Sequence, residues 1–196
     1  DGNDNVAIGY QALTADTQGD NSVAIGNNAL FSQNGTNGDV YNVAIGKNAG
    51  FAVTTGIRNI IMGGLAGDAL TDADFNIGIG YQSLTADTKG SKSTAVGYRT
   101  LANQNFSTST DSHNTAIGND AGLSVTTGVR NTLIGSRTGD AFTDADYNVA
   151  LGYNALTSDT LGSTSTAIGY AALETQNFTS ATDSLNTAVG YNAGTA

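Results

Sequence analysis

The stretch Asn5-Val-Ala-Ile-Gly-Tyr-Gln-Ala-Leu13 decides the fold, because the chain starts the phrase again at Ser22-Val-Ala-Ile-Gly26 and keeps returning to it. The glycine that closes each phrase falls at Gly9, Gly26, Gly46, Gly63, Gly80, Gly97, Gly118, Gly135, Gly152, Gly169 and Gly190. The steps between them are 17, 20, 17, 17, 17, 21, 17, 17, 17 and 21 residues. Self-similarity at a period near 20 marks a solenoid, in which one repeat cannot bury its apolar face alone and the stack buries a continuous core. A longer period lies on top of the first: Gly50–Asn59 returns as Gly122–Asn131 and Gly67–Asn76 as Gly139–Asn148, each shifted by 72 residues. Residues 1–196 therefore read as one repeat domain of eleven rungs in four-rung units. No rung at either end resembles a cap, so the sequence reads as a segment of a longer fibre.

Each phrase has the alternation of a β-strand, with Val6 and Ile8 on one face and Ala7 on the other. Large side chains are expected to face the core, which assigns Val6, Ile8, Val23, Ile25, Val43, Ile45, Ile77, Ile79, Ile117, Leu151 and Ile168 to the interior. The leucines four or five residues later, Leu13, Leu30, Leu84, Leu156 and Leu173, join them. The rest of a rung is turn chemistry, so each rung reads as two short strands and two turns. Asn5, Asn42, Asn59, Asn76, Asn114, Asn131, Asn148 and Asn186 precede the strand, where amides can form a ladder between rungs.

Composition narrows function. Seven Lys and Arg against seventeen acidic residues, a formal charge of -10, leave no basic footprint for nucleic acid. The absence of cysteine excludes disulfides, and no run approaches the roughly 18 apolar residues of a membrane span. The lone histidine, His113, lies in a loop whose 72-shifted counterpart is Leu185, and the lone glutamate, Glu174, replaces Ala102. Gly78-Ile79-Gly80 lacks the third glycine and the helix of a phosphate loop. The chain is not read as an enzyme.

Three surface sets are candidates for binding. Asp68, Asp72 and Asp74 recur as Asp140, Asp144 and Asp146, hard oxygen ligands that would suit calcium, although Asp equally suits turns and caps. No other cofactor is indicated. Tyr10, Tyr81, Tyr98, Tyr153, Tyr170 and Tyr191 follow the recurrent glycine; stacked on one edge they would offer a surface to sugar rings or protein, or else cover corners or meet other chains. The third set is the long loops, Phe31–Tyr41, Ala102–His113 and Glu174–Leu185, with Phe31, Phe106 or Phe178 available to pack back.

Asn21-Ser-Val-Ala-Ile-Gly26 and its relatives resemble the head repeats of YadA-type trimeric autotransporter adhesins, and Asn5–Leu13 is similar to repeats of phage tail fibres and bacterial surface fibres. The resemblance implies an all-β, left-handed parallel β-roll of 17–21 residues per rung. It further implies a homotrimer, an extracellular, cell-surface or virion-fibre location, and attachment to a glycan or protein on a host or prey surface. A polysaccharide-binding or polysaccharide-cleaving β-solenoid is the alternative. With the large residues taken as core, the stripe Ala7, Ala24, Ala44, Ala95, Ala116, Ala150, Ala167 and Ala188 is expected at the chain contacts.

Overall fold

The computed structural model describes residues 2–35 and 38–195; Asp1, Ala196, and Thr36 and Asn37 of the first long loop lie outside the described residues. Among the described residues there are strands and turns but no helix. Eleven three-residue strands, from Val6–Ile8 to Thr187–Val189, form one parallel sheet in strict chain order. Equivalent residues pair throughout: Val6 with Val23, Ala7 with Ala24, Ile8 with Ile25. The molecule is a parallel β-solenoid of eleven rungs, and at roughly 4.8 Å per step the ten steps make a rod about 50 Å long.

A second strand forms in only part of the coil. Gly19–Asp20 pairs with Gly38–Asp39, Gly90–Ser91 with Thr110–Asp111, and Gly162–Ser163 with Thr182–Asp183. Elsewhere the chain turns through left-handed residues. In the rung that opens at Phe75, Phe75, Gln82 and Leu84 have φ of 59°, 55° and 53°. Such conformations cost a non-glycine residue about 1–2 kcal/mol. Each is held by the adjoining rung: Phe75 N–H donates to Ile57 O, Gln82 N–H to Gly64 O and Leu84 N–H to Thr100 O, at 3.0–3.1 Å.

The strand faces are the reverse of the expectation from residue size. Ala24, Ala44, Ala95, Ala116, Ala150 and Ala167 are fully buried, while Val23, Ile25, Val43, Ile45, Ile77, Ile79 and Ile168 are half-exposed. Val6, Ile8, Ile117 and Leu151 are open to solvent. The leucines behave as expected: Leu30, Leu84, Leu156 and Leu173 are buried and Leu13 packs at the edge of the core. From Ala24 to Ala188 the alanine stripe is thus interior rather than at the surface, the place expected of a chain contact, and only Ala7, in the first rung, is exposed.

The reason is the width of the rung, because each turn aims two further side chains at the inward strand residue. In the rung of Ala24 these are Leu30 and Gln33; in the rung of Gly78 they are Leu84 and Asp87. In the next pair of rungs the sizes invert in one member, while the other keeps Ala44 or Ala116 inward. Ile61 and Leu133 are the large inward residues of their strands, and the leucine position becomes glycine. A Cβ on Gly67 would come within 2.8 Å of Leu70 and 3.3 Å of Ile61, and one on Gly122 within 2.8 Å of Leu101 and 2.9 Å of Leu133. Val53, Leu70, Val125 and Phe142, all fully buried, then take the place of the polar residue. The 72-residue period is this alternation: two rungs with leucine and a polar side chain, then two with glycine and an apolar one.

The long loops pack back as flaps. A Cβ on Gly90 would meet the Phe106 ring at 2.8 Å, and one on Gly162 the Phe178 ring at 2.8 Å. In the first unit Val40 covers Gly19 instead, while Phe31 stacks on Phe51 with ring centres 5.1 Å apart. Replacing Ile61 by Ala removes the only large inward strand residue of its unit. Because neighbouring rungs fix the cavity walls, the loss is expected to be about 2–5 kcal/mol in chemical denaturation.

Candidate functional site

The surface feature that separates this molecule from an ordinary acidic rod is the outer face of the long sheet. Two columns of side chains stand on it. The second column is aliphatic in every rung, running Ile8, Ile25, Ile45, Met62, Ile79, Val96, Ile117, Ile134, Leu151, Ile168 and Val189. The first is Val or Ile in six rungs and Thr in Thr94, Thr115, Thr132, Thr166 and Thr187. Ile8 is 59% exposed and Ile117 38%. A strip about 50 Å long and on the order of 7–10 Å wide approaches the largest apolar patch of a typical monomer, and such patches mark interaction sites.

The tyrosine column borders this strip at the strand ends. Tyr10, Tyr81, Tyr98, Tyr153, Tyr170 and Tyr191 are all exposed, and the structure brings five of them into stacks. Ring centres are 5.9 Å apart for Tyr81 and Tyr98, 5.5 Å for Tyr153 and Tyr170, and 5.0 Å for Tyr170 and Tyr191. At the other border, the left-handed residue that precedes each strand's Asn or Ser builds a second column that the sequence reading did not single out. It includes Tyr41, Arg58, Phe75, Lys92, His113, Arg130 and Tyr147. Arg58 lies 5.4 Å over the Phe75 ring and Arg130 5.3 Å over the Tyr147 ring. The signal was present as the position two before the strand, in the same 17-to-21-residue count.

Five of the six aspartates of the acidic set are tied into the stack by bonds between rungs, and Asp72 is held by its neighbour Thr71. Asp68 accepts from Thr85 Oγ1 at 2.6 Å, and its equivalent Asp140 accepts from Thr157 Oγ1. Asp74 accepts from Ile57 N–H at 2.8 Å and Asp146 from Val129 N–H at 2.7 Å. Asp72 accepts from Thr71 Oγ1 at 3.0 Å and Asp144 from Thr127 Oγ1 at 2.6 Å. Among the described residues no three His, Cys, Asp or Glu side chains stand together as a metal-holding group. His113 and Glu174 also stay apart from any carboxylate cluster, with Glu174 accepting from Asn154 Nδ2 at 3.0 Å.

Inside the rod the asparagines do more than stack. Asn59 Nδ2 closes its own rung on Ala73 O at 2.8 Å, while its Oδ1 accepts the N–H of Asn76 in the next rung at 2.9 Å. Where serine replaces asparagine, a glutamine from the turn supplies the amide. Gln104 Nε2 donates to Ser93 Oγ at 2.9 Å and to Asp87 Oδ2 at 2.5 Å, and Gln104 Oε1 accepts from Asn114 Nδ2 at 2.8 Å. The same relay recurs at Gln33 and Gln176. Asp87 is fully buried, and burial raises its pKa against the opposing pull of Gln104 and the N–H of Gly90. Burial likewise raises Asp68 and Asp146.

Two stretches, residues 2–29 and 89–110, match the YadA head domain repeat. Comparison with curated proteins and with solved structures gives no match. The matched stretches fall at the opening of the chain and at the serine-containing rung with its long loop, and the same strand, glycine and register continue through the other rungs. These two stretches are therefore similar to head repeats of YadA-like adhesins, and here they are part of a parallel β-solenoid.

Carboxylates with folded pKa values above their unfolded ones contribute stability that is complete below the ordinary carboxylate range and is lost as pH rises through the raised values. The melting temperature is therefore expected to climb as pH falls from neutral towards about 4. Asp87→Asn should flatten that slope. It should also cost about 1–3 kcal/mol at pH 7, because one amide oxygen cannot receive the donors that two carboxylate oxygens receive. Melting curves between pH 4 and 8 check both.

Proposed function

We propose that this chain is a rod segment of an extracellular trimeric fibre, on a cell surface or a virion, that attaches its bearer to a glycan or protein on another surface. The observation that carries the reading is the outer sheet face, eleven rungs of aliphatic side chains aligned along an otherwise acidic rod. Equivalent residues of parallel chains meet when the symmetry axis runs along the rod, and the resemblance to YadA-type heads supports three chains. The Val and Ile columns then form the seam, in the place first assigned to the alanines.

Attachment in this reading uses the exposed tips of the long loops. Ser107, Thr108 and Ser109, and their counterparts Thr179, Ser180 and Ala181, are exposed, and loops on a rigid scaffold vary without disturbing it. No helix among the described residues is long and apolar enough to cross a membrane. Asp68 and Asp74 make the same bonds as Asp140 and Asp146 in the next 72-residue unit, which supports a structural rather than a catalytic role.

Ile117→Asp separates the seam from the core. Facing outward, the aspartate should leave the rung folded, with a melting temperature within a few degrees of the parent, while abolishing assembly in light scattering. Ala116→Asp buries an unpaired charge and should prevent folding. A parent chain that stays monomeric at high concentration, or an Ile117→Asp variant that unfolds, would contradict the seam. Binding to a glycan and cell-surface protein panel by the parent, lost when Ser107–Ser109 and Thr179–Ala181 are exchanged for a glycine-rich loop, is the expected result for attachment. Unchanged binding would move the receptor site elsewhere.

A further inference from the structure

In seven of the eleven rungs the two columns that border the apolar strip hold residues of complementary size or chemistry, although they stand on opposite edges of one chain. Each rung contributes one residue to each column, six positions apart. Where the leading column holds an arginine, at Arg58 and Arg130, the tyrosine column holds its smallest residues, Gly64 and Ser136. Where the leading column holds Phe75 and its 72-shifted counterpart Tyr147, the other holds Tyr81 and Tyr153. Tyr41 faces Lys47, Lys92 faces Tyr98, and Leu185 faces Tyr191 on the same count.

Within one chain these partners cannot touch. The strand and its flanking residues separate them by roughly 15–20 Å at about 3.3 Å per residue. A match of size and chemistry between groups that never meet in the monomer has a physical use only if they meet between monomers. Three equivalent sheets facing a common axis produce that meeting by symmetry, since the leading edge of each sheet adjoins the trailing edge of the next. This holds for either handedness of the coil.

We infer that the leading-edge column of one chain packs against the tyrosine column of a second copy, rung against rung, and closes the sides of the apolar seam. The inference rests on the trimeric reading and adds the contacts that set its register. Arg58 and Arg130 are poised for this. The three ion pairs among the described residues use Lys92, Arg99 and Arg137, so both of these arginines keep their guanidinium donors free of carboxylates. The ring one rung beyond holds each fork in place, with Arg130 Nη1 also donating to Tyr147 Oη at 2.9 Å. Opposite a glycine or serine such a fork reaches the backbone carbonyls of the neighbouring chain. Opposite rings, stacked or edge-on aromatic contacts form. A one-rung slip would set Arg58 against Lys47 or Tyr81 instead of Gly64, so the columns specify register where the uniform aliphatic seam does not.

The test uses the absence of native cysteine. Arg58→Cys with Gly64→Cys, and separately Arg130→Cys with Ser136→Cys, are treated with a short bismaleimide and run on denaturing gels. Each pair is expected to give a covalent trimer. Each single variant, and each pair placed on an Ile117→Asp chain, should give none. A second measurement exploits the size match. Gly64→Arg should weaken assembly at least about tenfold, and adding Arg58→Gly, tolerated at φ 58°, should recover most of that loss, a coupling that independent sites do not show. Trimers in light scattering with neither cross-links nor coupling would overturn the edge pairing and leave the seam standing. A chain that remains monomeric throughout overturns both.

Discussion

The structure depends on one column of backbone. The glycine that ends each strand has φ near +130° to +140°, and from Gly9 to Gly169 a Cβ on any of them would come within 3 Å of the carbonyl of the same glycine in the next rung. No side chain fits there, so the corner stays identical in every rung. Identical corners keep the strands in equivalent register, and equivalent register is what lets a single set of inter-rung bonds repeat along the rod. The left-handed Leu and Arg residues, individually costly, are held by those bonds.

Repetition in turn makes the polar interior possible. A buried amide is inexpensive only when all its hydrogen-bonding groups are used, and in a parallel stack every rung offers the same carbonyl of its own turn and the next rung the same N–H. Asn42, Asn59, Asn114 and Asn131 exploit that directly. Gln33 and Gln104 restore the missing amide where the strand opens with serine. The long loops follow these relay rungs, and their flaps lie over Gly90 and Gly162 beside Asp87 and Asp159. Polar relay, loop and second strand thus occur together once in every four rungs.

Function in this reading follows from what the stack leaves outside. Because the interior is filled by alanine and leucine, the β-branched residues are turned outward into a strip that water does not suit. The bordering columns carry most of the aromatic residues and several of the few cations of the chain. In the proposed reading that face is the assembly surface and the exposed loops take the receptor-facing role.

The period, the number of rungs, the strand positions and the burial of Leu30, Leu84 and Leu156 were all legible in the sequence, because they depend only on recurrence and on local turn chemistry. The tyrosine column was legible for the same reason. The face of each strand was not. Alternation shows that Val23 and Ala24 point opposite ways, but which of them points inward depends on how much room the turns leave. That room is set by Leu30 and Gln33, or by Gly67 and Leu70, arriving from the far wall of the rung. The Asp87–Gln104–Asn114 relay joins residues 10 and 17 positions apart in three successive rungs, a geometry that exists only once the rungs are stacked. The sequence by itself determined a repeating parallel coil; only the tertiary structure, through the narrow width of that coil, decided that its small residues form the core and its large ones the outer face.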